Sequence, residues 1–339
     1  MTLPPTKITF VLPLTLKEPA LLEWRADPAD TTLGRVTLLL SSFIQFFNQA
    51  HVYDFIVIVP SRELQEIKTI LTARFPSLAI RLIDETDLLH RTTRSEPAPH
   101  KAIPGWYLQQ ILKLAIADHV STDFYVTLDA DIACTKPFGI ADLLSNGKAY
   151  TNIETPEDYA ELYNAEHTRH ETALKKQRLR AAANVLGFDP PNALDDVFYG
   201  ETPVSLHTQT VRDLTAYITD RHRTSWQNVL ANAEAWTEYA LYFQYLRAKG
   251  DFSRYHIPAS RDTILNLSKS VWHISASYKN VRCYDAQHFM FDEHTSGLFV
   301  AVQSWLDPSQ WLLSSTSKTI DEFNVFLASC LGVNMDGST

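Results

Sequence analysis

Two carboxylates one residue apart, Asp129 and Asp131, close the apolar run from Phe124 to Leu128 and form the only Asp-x-Asp of the chain. That run is β-branched and aromatic, too short for a buried helix, and reads as an interior strand. In an open α/β sheet, ligands gather where strands end, so charges at that point are expected to face a crevice. Hard oxygen donors suit Mg2+ or Mn2+, and such an ion neutralises a substrate's phosphates. The chemistry on offer is a divalent cation carrying a diphosphate at Asp129 and Asp131. The plainer alternative is a chance pair of loop-opening aspartates. Their place directly after a buried strand lifts the first reading, and on the residues alone both stand.

A further carboxylate stands where a helix begins. Thr237 is suited to the N-cap, which puts Glu238 in the first helical turn. The helix dipole there favours the ionised form, the form a general base needs. The same dipole also makes a first-turn Glu ordinary. Asp195 and Asp196, in a loop over residues 184–196, are rival acids. Asp84 ends another strand and reads better as a turn residue.

The elements that must position these groups alternate. Ile8 to Leu12 is a first strand, closed by Pro13, and Val36 to Phe47 has helical recurrence, with Asp30, Thr31 and Thr32 as upstream caps. Phe55 to Val59 is a second strand stopped by Pro60. A capped amphipathic helix from Ser61 follows, carrying Glu63 and Glu66, and then a third strand over Ala79 to Ile83. Residues 88–104 form a long polar loop with His90, Arg91, Arg94, His100 and Lys101. The helix Trp106 to Ala115 leads into the strand that ends at Asp129. This order predicts an α/β fold, a mostly parallel sheet flanked by helices. Neither G-x-G-x-x-G nor G-x-x-x-x-G-K-[ST] occurs, so dinucleotide and P-loop sites are unsupported.

Beyond Glu154 the character changes. Glu157 to Arg180 is strongly charged and helical, which predicts a solvated excursion. Tyr239, Tyr242, Phe243 and Leu246 make one apolar helical stripe, expected as core. The C-terminal Ile320 to Leu331 reads as a short amphipathic helix.

Composition narrows the partners. The chain has 339 residues, 45% hydrophobic and 20% charged, with a formal charge of -9, which argues against nucleic acid or an anionic membrane as a general partner. Cys134, Cys283 and Cys330 form no zinc pattern and suggest a reducing compartment. No signal pattern opens the chain, and its longest apolar stretch is too short to span a bilayer. A cytoplasmic protein is expected, with at most peripheral association at the inner face of the membrane.

Taken together, Gly105-Trp106-Tyr107-x-Gln109-Gln110-x-x-Lys113-Leu114, Leu128-Asp129-Ala130-Asp131 and Thr237-Glu238-Tyr239 resemble bacterial glycosyltransferases of the GT-A fold, more narrowly the DUF6492-type group. The resemblance runs from Ile8 to about Trp305 and implies a GT-A-type, Rossmann-like sheet with a helix-rich C-terminal acceptor part. Residues 1–150 would bind the nucleotide-sugar donor. Residues 151–339 would form the acceptor half of the same domain, with the charged excursion at about 154–183.

The resemblance also implies roles. Asp131 would be the principal ligand of Mn2+ or Mg2+, and Asp129 would contact the ribose, or the metal through water. Pro13, Leu14 and Thr15 would lie under the nucleotide. Gln110 and Lys113 share a helical face; it would point at the nucleotide-sugar, or else be a solvated helix edge. Glu238 would be the base of an inverting transfer. Some GT-A enzymes complete the metal shell with a C-terminal histidine, which makes His273 the first choice, ahead of His288 and His294.

The expected partners are a nucleotide-diphosphate sugar and a saccharide or lipid-linked saccharide acceptor, in surface polysaccharide or glycoconjugate synthesis. Retention remains open if no carboxylate reaches the acceptor hydroxyl. Two rival functions remain. One is a haloacid-dehalogenase-type Mg2+ phosphatase using Asp129 and Asp131, although that motif normally sits on a first strand. The other is a catalytically silent sugar-nucleotide-binding protein.

Overall fold

The computed structural model describes residues 7–16, 28–89, 103, 105–189, 197–291, 295–312 and 315–335. Strands β1 (Ile8–Pro13), β2 (Val52–Val59), β3 (Ile80–Asp84) and β4 (Phe124–Thr127) run parallel in the spatial order β3-β2-β1-β4. Between them lie helices α1 (Pro28–Phe46), α2 (Leu64–Arg74), α3 (Glu85–Leu88) and α4 (Gly105–Ala115). The chain continues through β5 (Ile132–Cys134), α5 (Ile140–Leu143), β6 (Leu144–Ser145), β7 (Lys148–Glu154), α6 (Pro156–Leu162), α7 (Ala165–Leu186) and β8 (Phe198–Tyr199). Strand β9 (Val204–His207) then adds to β4 antiparallel and closes that edge of the sheet. After α8 (Thr208–His222), α9 (Trp226–Asn232), α10 (Glu238–Lys249) and α11 (Phe252–Tyr255) come β10 (His256–Ala259), β11 (Phe299–Ala301) and α12 (Ile320–Leu331).

This is the expected α/β architecture, a parallel-rich central sheet with helices on both faces. Two small sheets complete it, β10-β7-β6 with β8 on β7, and the antiparallel pair β11–β5. The apolar strand runs explain the layering. Side chains alternate across a strand, so Phe10 and Leu12 join Phe43, Phe47 and Phe55 on one face. Val11 joins Ile56, Ile111 and Tyr125 on the other. Both faces are covered, which is why β1 and β4 are buried throughout.

Helix α1 starts at Pro28, so Asp30 and Thr31 fall inside it rather than capping a later start. Gly34 sits within the helix for a packing reason. A Cβ there would stand 2.7 Å from Asp321 Oδ1 and 3.2 Å from Asn324 Nδ2 of α12, which docks against this face of α1. Among the described residues no helix is long and apolar enough to cross a membrane.

The charged stretch is solvated on one face, as expected, but its other face departs from a solvated excursion. In α7, Glu171, Lys175, Leu179, Ala182, Ala183, Val185 and Leu186 are buried. Glu171 and Lys175 lie four apart on one helical face, and that face turns inward toward other charges. Lys175 Nζ lies 3.3 Å from Glu154 and 3.0 Å from Glu201. Opposite charges on the facing elements satisfy this inward face, while Glu166, Arg169 and Arg180 on the outer face are exposed. The stripe Tyr239, Tyr242, Phe243 and Leu246 is core as expected, and α10 is buried all round from Glu238 to Leu246.

Candidate functional site

The ends of the parallel strands converge on the Asp-x-Asp turn. Leu128 N–H extends the ladder to Val11 O at 2.8 Å, after which the chain leaves the sheet. The segment after β11 clamps the turn from outside: Val302 N–H donates to Asp131 O at 2.8 Å, and Ser304 N–H donates to Asp131 Oδ2 at 3.0 Å. Asp131 Oδ1 is shut off from solvent and has no hydrogen-bond partner among the described residues. Burial, then the Asp129 charge, pushes the Asp131 carboxyl up to about 6, against the pull of Arg35. An unpartnered buried carboxylate oxygen is costly, and a cation would satisfy it.

Asp129 is tied to a second element. Its Oδ1 lies 2.7 Å from Nζ of Lys113, which also reaches Glu238 Oε1 at 3.0 Å and the Tyr239 hydroxyl at 3.3 Å. Lys113 is 3% exposed. Tyr125 OH donates to its carbonyl at 2.8 Å and fixes this turn of α4 against β4. Burial works against the ammonium charge, but Asp129, Tyr239 and Glu238 outweigh it and hold Lys113 protonated well above the usual lysine range. Burial also pushes Glu238 up, Lys113 pulls it back only in part, and the Asp129 charge adds to the rise.

The start of α10 is built to present Glu238. Thr237 Oγ1 accepts Ala240 N–H at 3.0 Å, the N-cap expected from the sequence, and Gln110 Oε1 accepts Glu238 N–H at 3.1 Å. Gln110 Nε2 donates to Trp106 O at 3.3 Å, so both ends of this buried amide are used within the protein. Gln110 therefore lines the cleft and serves as a second cap, not as a solvated helix edge. Thr237→Ala is expected to lower stability by about 1 kcal/mol, because Gln110 covers a different N–H from the one Thr237 caps. Thermal unfolding checks this, and no loss would mean that packing alone holds the helix start.

Pro13, Leu14, Thr15, Gln110, Lys113, Asp129, Asp131, Glu238 and His273 line one cleft of about 1130 Å3. The loop after β1 is held from below by Glu63, which is fully buried. Thr15 Oγ1 donates to Glu63 Oε1 at 2.9 Å, and Leu16 N–H donates to Oε2 at 2.7 Å. Residues of α7 and Glu201 also line the cleft. Burial would raise Glu201, but Arg178 and Lys175 overcome it and hold the carboxyl down to about 2. Trp106 and Trp305 stand on the rim, 49% and 55% exposed.

His273 is placed among partners the sequence did not indicate. Its Nε2 lies 3.6 Å from Glu171 Oε1, which in turn lies 3.8 Å from His167 Nε2. His288 is instead bonded to Lys269 O at 3.0 Å and does not line the cleft. Asp84 caps α3, accepting Thr86 N–H at 2.9 Å, which is the turn role expected of it. His294, Asp195, Asp196 and most of the polar loop over 88–104 lie outside the described residues. Sequence reasoning missed Arg35, His167, Glu171 and Glu201. The available signal was the i, i+4 spacing of His167, Glu171 and Lys175 within the charged stretch.

The arrangement can hold a hard dication at Asp131 and Asp129, and it keeps a buried carboxylate at a helix start beside it. No curated protein matches this chain. Among solved structures, the crystal structure of mouse xyloside xylosyltransferase 1, in its apo form, is similar at 12% identity, covering 76% of this chain and 86% of that one with a TM-score of 0.41. The model of a family of unknown function, DUF6492, matches residues 5–327, and the chain belongs to that family.

Proposed function

We propose that this chain is a glycosyltransferase of the GT-A type, moving a sugar from a nucleotide-diphosphate donor to an acceptor hydroxyl. The observation that carries this reading is Asp131, a strand-end carboxylate whose Oδ1 is kept from solvent without a partner in a large cleft. Asp131, with Asp129 beside it, fits Mn2+ or Mg2+. When bound, such an ion supplies neutralisation of the negative charge that develops on a leaving diphosphate.

The protein's own residues do the rest. Pro13, Leu14 and Thr15, braced by Glu63, form the floor for the nucleotide. Glu238 accepts the proton of the acceptor hydroxyl as that oxygen bonds to the anomeric carbon and the bond to the diphosphate breaks, with inversion. Lys113 holds Glu238 and Asp129 in one orientation across the reaction centre. Trp106 and Trp305 offer flat faces for sugar rings at the rim. Residues 1–150 supply the donor side and residues 151–339 most of the acceptor side. A saccharide or lipid-linked saccharide of a surface glycoconjugate is the acceptor class.

The test is thermal stability against a panel of nucleoside diphosphates with Mn2+, repeated with EDTA and with Asp131→Ala. A ligand at about a hundred times its dissociation constant adds about 2.7 kcal/mol. A shift with one nucleotide that disappears with EDTA and in the variant supports the donor site. No shift with any nucleotide sinks it. Asp129-dependent hydrolysis of a generic phosphate ester would then favour the phosphatase reading.

A further inference from the structure

The cleft that holds the Asp-x-Asp turn is also lined by a second cluster of potential ligands. His167 and Glu171 lie four apart on α7 and so present their side chains on one face. His273 comes from a distant segment that is fastened to the start of this helix: Asn164 N–H donates to Ser277 O at 3.0 Å, and Tyr163 bridges Tyr278. One donor atom from each of His167, Glu171 and His273 lies within 4.8 Å of the other two.

These spacings say what the cluster is not. At 3.6 and 3.8 Å the imidazole nitrogens are too far from Glu171 Oε1 for hydrogen bonds. Nε2 of His167 and Nε2 of His273 are both shut off from solvent and have no hydrogen-bond partner among the described residues. His273 is 6% exposed, so its nitrogen has no water to turn to. Three donors each about 2.0–2.2 Å from one ion, in tetrahedral arrangement, stand roughly 3.4 Å apart. The two separations to Glu171 Oε1, 3.6 and 3.8 Å, are close to that, and the two imidazoles lie within 4.8 Å of each other.

We infer that His167, Glu171 and His273 form a binding site for a transition-metal dication of the Zn2+ class, separate from the carboxylate pair at Asp129 and Asp131. Two imidazoles and one carboxylate suit Zn2+, Co2+ or Mn2+ and disfavour Mg2+, which takes oxygen ligands. Three protein ligands leave a coordination position open, and all three residues line the cleft, so the open position is within reach of a bound molecule. In this assignment His273 serves a separate ion with Glu171 and His167, instead of completing the shell at Asp131 and Asp129 as the resemblance implied. The inference stands whether or not the glycosyltransferase reading does, since it needs only these three side chains.

The test uses the full chain, stripped with EDTA and titrated with Co2+, whose visible absorption reports its ligand field. Bound Zn2+ per chain is counted in parallel by elemental analysis after dialysis. The intense visible band of low-coordinate Co2+ on imidazole ligands is expected in wild type and should persist in Asp131→Ala, which removes only the weakly absorbing Co2+ held by carboxylates. Glu171→Gln and His273→Ala should lose it, with affinity falling by more than the ~10–100-fold that a merely supporting neighbour carries. If His273→Ala does not fold, as read by circular dichroism, the half-buried His167→Ala takes its place. A Co2+ band that vanishes in Asp131→Ala and persists in Glu171→Gln overturns the site, and so does wild-type protein that binds neither metal.

Discussion

Lys113→Met is expected to destabilise the protein by about 3–5 kcal/mol, the loss typical when one member of a buried ion pair is removed. The methionine keeps most of the aliphatic stem but leaves Asp129 and Glu238 without their common cation. Glu238 is itself only 3% exposed, so it has no solvent to fall back on. The deficit should depend on pH in a defined direction. Without Lys113 the Glu238 carboxyl, already raised by burial, rises further. A raised carboxyl contributes stability that is present at low pH and lost as the pH climbs through the folded-state value. The variant should therefore be closer to wild type at pH 5 than at pH 8 in denaturant titrations. Adding Glu238→Gln should recover part of the loss, because the amide no longer needs a counter-charge. If the two substitutions simply add, Lys113 and Glu238 are not coupled and the clip between strand end and helix start is not real. A glycosyl-transfer assay on the same variants separates roles. Glu238→Gln alone should lower kcat by ~10^2–10^4-fold as a lost base.

How much of this was legible in the sequence depends on the range over which each residue finds its partners. The parallel core was readable because each strand, such as Phe55 to Val59, is an unbroken apolar run beside a helix with its own period. The order of strands places Asp129 where ligands gather, and that too follows from local pattern. The small sheets were not readable. The strand Lys148–Glu154 mixes polar and apolar residues, and Ile132–Cys134 pairs with Phe299–Ala301 from far along the chain. The charged stretch misled for a related reason. Glu171 and Lys175 look solvated in sequence, and only the fold reveals that Glu154, Glu201 and His273 come to meet them. Gln110 shows the same limit at a single residue, since its partner Glu238 N–H is more than a hundred positions away. Glu63 shows it again. It looks like an ordinary first-turn acid, yet it is the buried post that holds the loop at Thr15.

Asp131 allows the sharpest separation of stability from function. In the metal-free protein its carboxyl sits at about 6, against an ordinary 3.8. A shift of that size corresponds to about 3 kcal/mol, an upper figure given the shared charge with Asp129. The sign follows from the direction. A raised carboxyl is stabilising below its ordinary value and loses that contribution as pH rises through about 6. Metal-free Asp131→Asn should thus gain on wild type between pH 4 and pH 7.5, by up to about 3 kcal/mol. Its amide oxygen can still accept Ser304 N–H. Added Mn2+ should reverse the order, raising the wild type and leaving the variant unchanged. Affinity for Mn2+ should fall as pH drops through about 6, because a proton competes for the same oxygen. Unfolding curves of both proteins at four pH values, with Mn2+ and with EDTA, read all of this. Parallel profiles would mean that Asp131 is at rest without a cation, and the case for a metal-held diphosphate at this strand end would fall. Diverging profiles that Mn2+ inverts would mean that the fold gives up stability at one oxygen to keep it open for a ligand, the mark of a site rather than a turn.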